Sequence, residues 1–140
     1  MLLSTTWNEM IQEIVSLVKE KPVTAGESHP ADSIISLIAK KETHYIELFY
    51  LMIASYPNIR ADLFKLLCRL DSKYLDNLTF YGICRRFLND NNVEVVDAAI
   101  GMFESFSDKS ILKEWLDSKP DQSQWLLDYA HQIVNQDSSL

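Results

Sequence analysis

NNVEVVDAAIGMFESFSDKSILKEWLDSK, Asn91 to Lys119, decides the fold. Apolar residues recur in it every three or four positions, and the run breaks once, at Ser107-Asp108. That is the period of α-helix rather than strand. The stretch reads as two short amphipathic helices joined by a tight turn. The first spans about Val93 to Phe106, capped by Asn91 or Asn92. Asp108 caps the second, about Lys109 to Asp117. At about 100° per residue, Val93, Val96, Ala99, Ile100, Phe103 and Phe106 fall in one arc of about 140°. Glu94, Asp97, Gly101 and Glu104 fall in another, about 80° wide, whose centre lies about 130° from that of the apolar arc. The first helix therefore carries a row of carboxylates beside its buried side.

Outward from this stretch the same period persists. Gly and Pro are sparse, no long apolar–polar alternation occurs, and the chain reads as all-α with about eight short helices. The first, about Thr6 to Lys21, turns Trp7, Met10, Ile11, Ile14, Leu17 and Val18 to one side. Thr6 and Glu9 have the spacing of a capping box, and Pro22 stops the helix. After the loop Val23–His29, Pro30 suits the first position of a second helix that runs to Lys41. The third, about Thr43 to Tyr56, is apolar almost all round, the mark of a central helix. Helices follow at about Ile59–Leu70 and Tyr74–Leu88, the latter with Leu75, Leu78, Phe80 and Cys84 on its apolar face. The last, about Asp121 to Asn135, starts near Pro120 and presents Trp125, Leu126, Tyr129, Ala130 and Ile133. A length of 140 residues fits one domain. It divides into an N-terminal part, 1–56, helical pairs over 57–135, and a polar, frayed tail, 136–140.

Helix–turn–helix units open at Pro57-Asn58, at Asn91-Asn92 and at Pro120-Asp121, about 34 and then about 29 residues apart, a period of stacked helical pairs. Asn92-Val93-Glu94-Val95-Val96-Asp97-Ala98-Ala99-Ile100-Gly101-Met102-Phe103 resembles the first helix of a HEAT or armadillo-type repeat. That pattern has a polar cap, a Val, then Ala and Ile or Leu at helical spacing. The resemblance covers residues 57 to 135. It implies antiparallel helix pairs stacked as an α-solenoid right to the C-terminus, each contacting its neighbours.

The net charge of −7 opposes nucleic-acid binding, which calls for a basic stripe. The charge is uneven: residues 1–40 carry a net −2, residues 41–90 a net +1, and residues 91–140 a net −6. The candidate partner-binding residues are therefore Glu94, Asp97 and Glu104, with Asp108, Glu114, Asp117, Asp121 and Trp115. Trp125 and Tyr129 join them as anchors wherever they are exposed. Such a face steers a basic protein into an encounter complex; its alternative is a solvated surface that keeps the chain soluble. Glu94 and Asp97, three residues apart, read as surface charge rather than an acid–base pair. Catalysis is not expected: the sequence holds no GxSxG, no HExxH and no Gly-rich phosphate loop. His29, His44 and His131 have no ligand partner at helical or hairpin spacing and no CxxC is present, so neither a metal nor another cofactor is expected. Cys68 and Cys84 fall on apolar faces and read as buried thiols. The N-terminus lacks a basic n-region, and Tyr45–Tyr56 is too short to span a bilayer, so the expected location is the cytoplasm, away from membranes.

In size, charge and helical make-up the chain is similar to bacterial toxin-immunity proteins, which cover the basic active-site cleft of a nuclease domain. The resemblance implies a non-catalytic inhibitor, monomeric alone, that binds a basic toxin domain. Two alternatives stand beside it: a small enzyme or ligand-binding domain with a pocket under the third helix lined by Tyr45, Phe49 and Tyr50, and a scaffold that self-associates through that helix.

Overall fold

A computed structural model describes residues 5–24, 26–41, 43–75 and 78–136, with the backbone alone at residues 5, 6, 72 and 74. The fold is all-helical, and no strand occurs among the described residues. The chain packs as two compact units, Met1–Thr79 and Phe80–Leu140, where length alone fits one domain. The division expected at 56/57 falls inside the first unit. There Pro57 opens a single 3-10 turn, Pro57–Ile59, and the helices on either side of it pack together.

The first unit contains α1 (Thr5–Glu20), α2 (Asp32–Lys41), α3 (Tyr45–Ser55), α4 (Arg60–Cys68) and the single turn α5 (Ser72–Leu75). Pro22 lies just past the end of α1, as its missing N–H and fixed φ require. The side chain of Thr6, and with it the expected capping box, lies outside the described residues. Ile14, Val15 and Val18 of α1 are buried, as are Ile35 and Ile38 of α2 and Leu63, Phe64 and Leu67 of α4. Phe49 of α3 meets Trp7 at 6.3 Å and Tyr45 edge-on at 6.4 Å between ring centroids. One side of α3 is therefore core, but Leu51 on the other is 60% exposed.

The loop between α1 and α2 is closed by one buried histidine. His29 Nε2 donates to the Lys21 carbonyl at 2.7 Å, and Nδ1 accepts from the Ala31 N–H at 3.0 Å. Asp32 Oδ2 accepts from the His29 N–H at 2.7 Å. This reciprocal capping makes His29 the cap and Asp32 the third residue. That leaves Pro30 the first position, as the sequence suggests, and regular helix sets in at Asp32. Residues 76 and 77 lie outside the described residues, so the helix expected over 74–88 is seen as two pieces, α5 and α6 (Leu78–Phe87). Leu78, expected on the apolar face, is 88% exposed.

With α6, the second unit contains α7 (Val93–Met102), α8 (Ser110–Asp117) and α9 (Gln124–Gln136). Asn92 caps α7 from extended backbone, accepting the Glu94 N–H at 2.9 Å. The helix ends at Met102, four residues before the expected Phe106. Three i→i+3 bonds, from Phe103, Glu104 and Ser105, tighten its last turn. Phe106 turns back into an aromatic cluster, 4.9 Å from Tyr81, 5.3 Å from Phe103 and 6.1 Å from Phe80, all edge-on. Edge-to-face pairs of this kind are worth about 0.5–1.5 kcal/mol each beyond the area they bury. Lys119 follows α8 in left-handed backbone, φ 53°, and Pro120 comes next. Pro120 thus closes α8, and α9 starts at Gln124 instead of Asp121. Both α7 and α8 pack on α9, around Val96, Ala99, Ile100, Leu112, Leu126 and Ala130. The tail residues 137–140 lie outside the described residues.

Candidate aromatic–acidic face

On α7 the buried stripe is Val95, Val96, Ala99, Ile100 and Phe103. Val93, assigned to the apolar arc from sequence, is 45% exposed, and Val95 takes its place. The carboxylate arc then lies about 150° from the buried one, nearly opposite it. Glu94 is exposed in the first turn, where a negative charge favours the helix dipole. Asp97 is half-buried one turn on. Glu104 lies past the helix end, in the tightened turn.

From α9, Tyr129 reaches this arc. Its hydroxyl donates to Glu104 Oε1 at 3.0 Å. Gly101 leaves room for it, since a Cβ at that position would stand 3.1 Å from the Tyr129 oxygen. Burial, the bond to Glu104, and the charges of Glu104 and Asp97 push the Tyr129 hydroxyl up to about 12. Tyr129 therefore stays a neutral donor to Glu104 within the negative field of Asp97. Trp125 stands one turn before it on the same face of α9 and is 54% exposed, although sequence placed it on the apolar side. Leu126, its neighbour, is the residue that packs inward. Asp128, exposed beside Trp125 at helical spacing, accepts from Gln124 Nε2 at 2.8 Å.

The other predicted acids are arranged differently. Asp108 Oδ1 accepts the Ser110 N–H at 2.9 Å, the capping role read from sequence, and hydrogen bonds from Ser110 hold its carboxyl below the usual range. The Asp108 carbonyl accepts from the Tyr81 hydroxyl at 2.9 Å. Burial first, then the charge of Asp108 and more weakly that of Glu114, raises Tyr81. Asp108 and Glu114 thus act on Tyr81 through their charge, whereas Asp97 and Glu104 act on Tyr129. Asp117 is exposed on α8 and Asp121 in the bend before α9. Trp115 belongs to neither group. It is 6% exposed, packed into the core with Leu112 and Leu116, and offers no surface to a partner. Burying its large ring stabilises the unit more than exposing it would.

The face that the structure assembles is therefore Trp125, Asp128 and Tyr129 on α9 beside Asp97 and Glu104 on the α7 side. Asp128 was missed in the sequence, though the spacing Trp125-Asp128-Tyr129 (i, i+3, i+4) carries the signal. An aromatic ring next to carboxylates suits a guanidinium or ammonium group, which can stack on the ring and pair with the acid. Among the described residues, no group of three His, Cys, Asp or Glu side chains is placed to hold a metal ion. No described helix is long and apolar enough to cross a membrane. Comparison with models of protein families, with curated proteins and with solved structures found no match to the chain.

Proposed function

We propose that the chain is a non-catalytic protein-binding module whose second unit docks a basic protein through Trp125, Tyr129, Asp97, Glu104 and Asp128. The observation that carries this is the half-exposed Trp125, one helical turn from a tyrosine that is hydrogen-bonded to Glu104 and feels the charge of Asp97. An exposed tryptophan gains from being covered, and a surrounding negative field favours a positive cover. A basic toxin domain, such as the active-site cleft of a nuclease, fits that description, and the chain then acts as its cytoplasmic immunity protein. Cys68 and Cys84, neither of them in a disulfide, suit a reducing compartment. In this reading α7 to α9 stack in the manner of HEAT-like helical pairs, with Glu94 and the acids around Tyr81 extending the negative field that steers the partner.

The experiment is co-expression with a small basic domain encoded by an adjacent reading frame, followed by co-purification and association kinetics. Wild type binds and abolishes the toxicity of that domain. Trp125→Ala keeps its melting temperature but weakens binding by about 2 kcal/mol, some 30-fold. The triple variant Glu94→Lys, Asp97→Lys, Glu104→Lys associates more slowly. If the triple variant associates as fast as wild type, the acidic face is not the docking surface.

A further inference from the structure

The surface around Trp125 is made of acceptors. The Tyr129 hydroxyl gives its proton to Glu104 Oε1 at 3.0 Å, and Gln124 Nε2 donates to Asp128 Oδ1 at 2.8 Å. Among the described residues, each of these carboxylates therefore has one oxygen engaged and one open to an outside donor. Both side chains are exposed. Neither α7 nor α9 contains a lysine or arginine that could take the place of an incoming cation. Trp125 supplies the apolar part. It is 54% exposed, against 7% for Trp7 and 6% for Trp115, so its ring is the one indole of the chain turned to solvent.

Charge by itself does not choose between the two basic side chains. A surface ion pair contributes little whichever cation forms it, because water competes for both partners. The ring does choose. A guanidinium is flat and weakly hydrated, so it can lie on an indole and still direct N–H donors sideways in its own plane, past the ring edge. An ammonium is compact and strongly hydrated. At an exposed site it keeps its water, and it has no flat surface to lay on the ring. Asp128, three residues on from Trp125 along α9, sets an open acceptor one turn from the ring, where such a sideways donor points.

We propose that this face selects arginine over lysine: an arginine side chain of the partner stacks on Trp125 and donates to the open oxygen of Asp128. Glu104 adds its charge from the α7 side. The inference rests on the docking reading and narrows it, because the basic partner then presents arginine at the contact.

The test is an NMR titration of the full chain with hexa-arginine amide and with hexa-lysine amide, matched in length and charge, in about 0.15 M NaCl. Hexa-arginine shifts the Trp125 indole N–H and the Asp128 amide, leaves the buried indoles of Trp7 and Trp115 in place, and binds about tenfold more tightly than hexa-lysine. Trp125→Leu, which keeps an apolar helix former and removes the ring, brings hexa-arginine down to the level of hexa-lysine at an unchanged melting temperature. Trp125→Phe keeps part of the preference. Asp128→Asn, whose Oδ1 still accepts from Gln124, weakens hexa-arginine more than hexa-lysine. The proposal is overturned if the two peptides bind the wild type alike, or if the preference for arginine survives Trp125→Leu. Equal binding that weakens as salt rises removes the choice of arginine and leaves the docking reading standing. Binding of neither peptide at about 1 mM overturns the proposal as well, while the docking reading is decided separately by co-purification of the basic domain.

Discussion

The Tyr129 hydroxyl is the group whose chemistry depends most on its surroundings. It donates to Glu104, and burial, that bond and the charges of Glu104 and Asp97 push it up to about 12 from its ordinary 10.0. Ionising it would place a third negative charge against two carboxylates and remove the donor that Glu104 uses. A tyrosine whose folded pKa is raised adds stability that is complete below its unfolded pKa. That contribution is lost as pH rises from about 10 toward 12. Tyr129→Phe removes the bond at a cost of about 1 kcal/mol near neutral pH. Urea unfolding of both proteins at several pH values from about 8 to 11.5 reads the difference. The gap between wild type and variant narrows above pH 10 as the wild type loses its advantage; a gap constant over that range shows that the hydroxyl is not specially held. At this same scale, Gly101 is the residue that gives the hydroxyl room. Asp108 and Trp115 belong to the fold instead, one as a cap and one as core.

At the scale of elements, the end of α8 carries the clearest stored strain. Lys119 adopts left-handed backbone at φ 53°, where a side chain costs roughly 1 kcal/mol and glycine almost nothing. Its N–H still bonds back to the Leu116 carbonyl at 3.0 Å. Lys119→Gly is therefore expected to raise the unfolding free energy by about 0.5–1 kcal/mol, read by urea or thermal unfolding; a loss of stability would mean that the lysine side chain stabilises this turn. Local punctuation of this kind made several boundaries legible. Pro22 ends α1, Asn92 caps α7 and Asp108 caps the turn into α8 because proline and Asx side chains act on backbone within a few residues. What sequence could not show depends on distant partners. The stop of α7 at Met102 needs Phe80 and Tyr81 to receive Phe106. The capping of α2 by His29 needs both of its ring nitrogens, one on the Ala31 N–H and one on the distant Lys21 carbonyl. Helical phase alone does not decide between neighbours such as Trp125 and Leu126, or Val93 and Val95, because the buried stripe is set by the helix packed against it. The candidate face was partly legible for the same reason. The spacing of Asp97 and Glu104 aligned them with one side of α7, but their action on Tyr129 is a tertiary effect, and Asp108 and Glu114 act on Tyr81 instead.

For the whole molecule, charge sets two opposing dependences on salt. A net −7, of which residues 91–140 carry −6, repels itself in the folded state and attracts a basic partner from a distance. Screening reaches about 30 Å at 0.01 M salt and about 8 Å at 0.15 M. Raising NaCl across that range should therefore raise the melting temperature of the free protein and slow its association with a basic domain. The triple variant Glu94→Lys, Asp97→Lys, Glu104→Lys changes the net charge from −7 to −1. Its lysine in the first turn of α7 opposes the helix dipole, at about 0.3–1 kcal/mol, and lowers the melting temperature at every salt concentration. That offset is separate from the slope. In the variant both slopes flatten, because the long-range field that causes them is gone while the fold is retained. Thermal melts and stopped-flow association at four salt concentrations measure both slopes on the same samples. A wild-type association rate that does not change between about 0.01 and 0.15 M NaCl would remove electrostatic steering by this face, and with it the reason for placing the basic partner there.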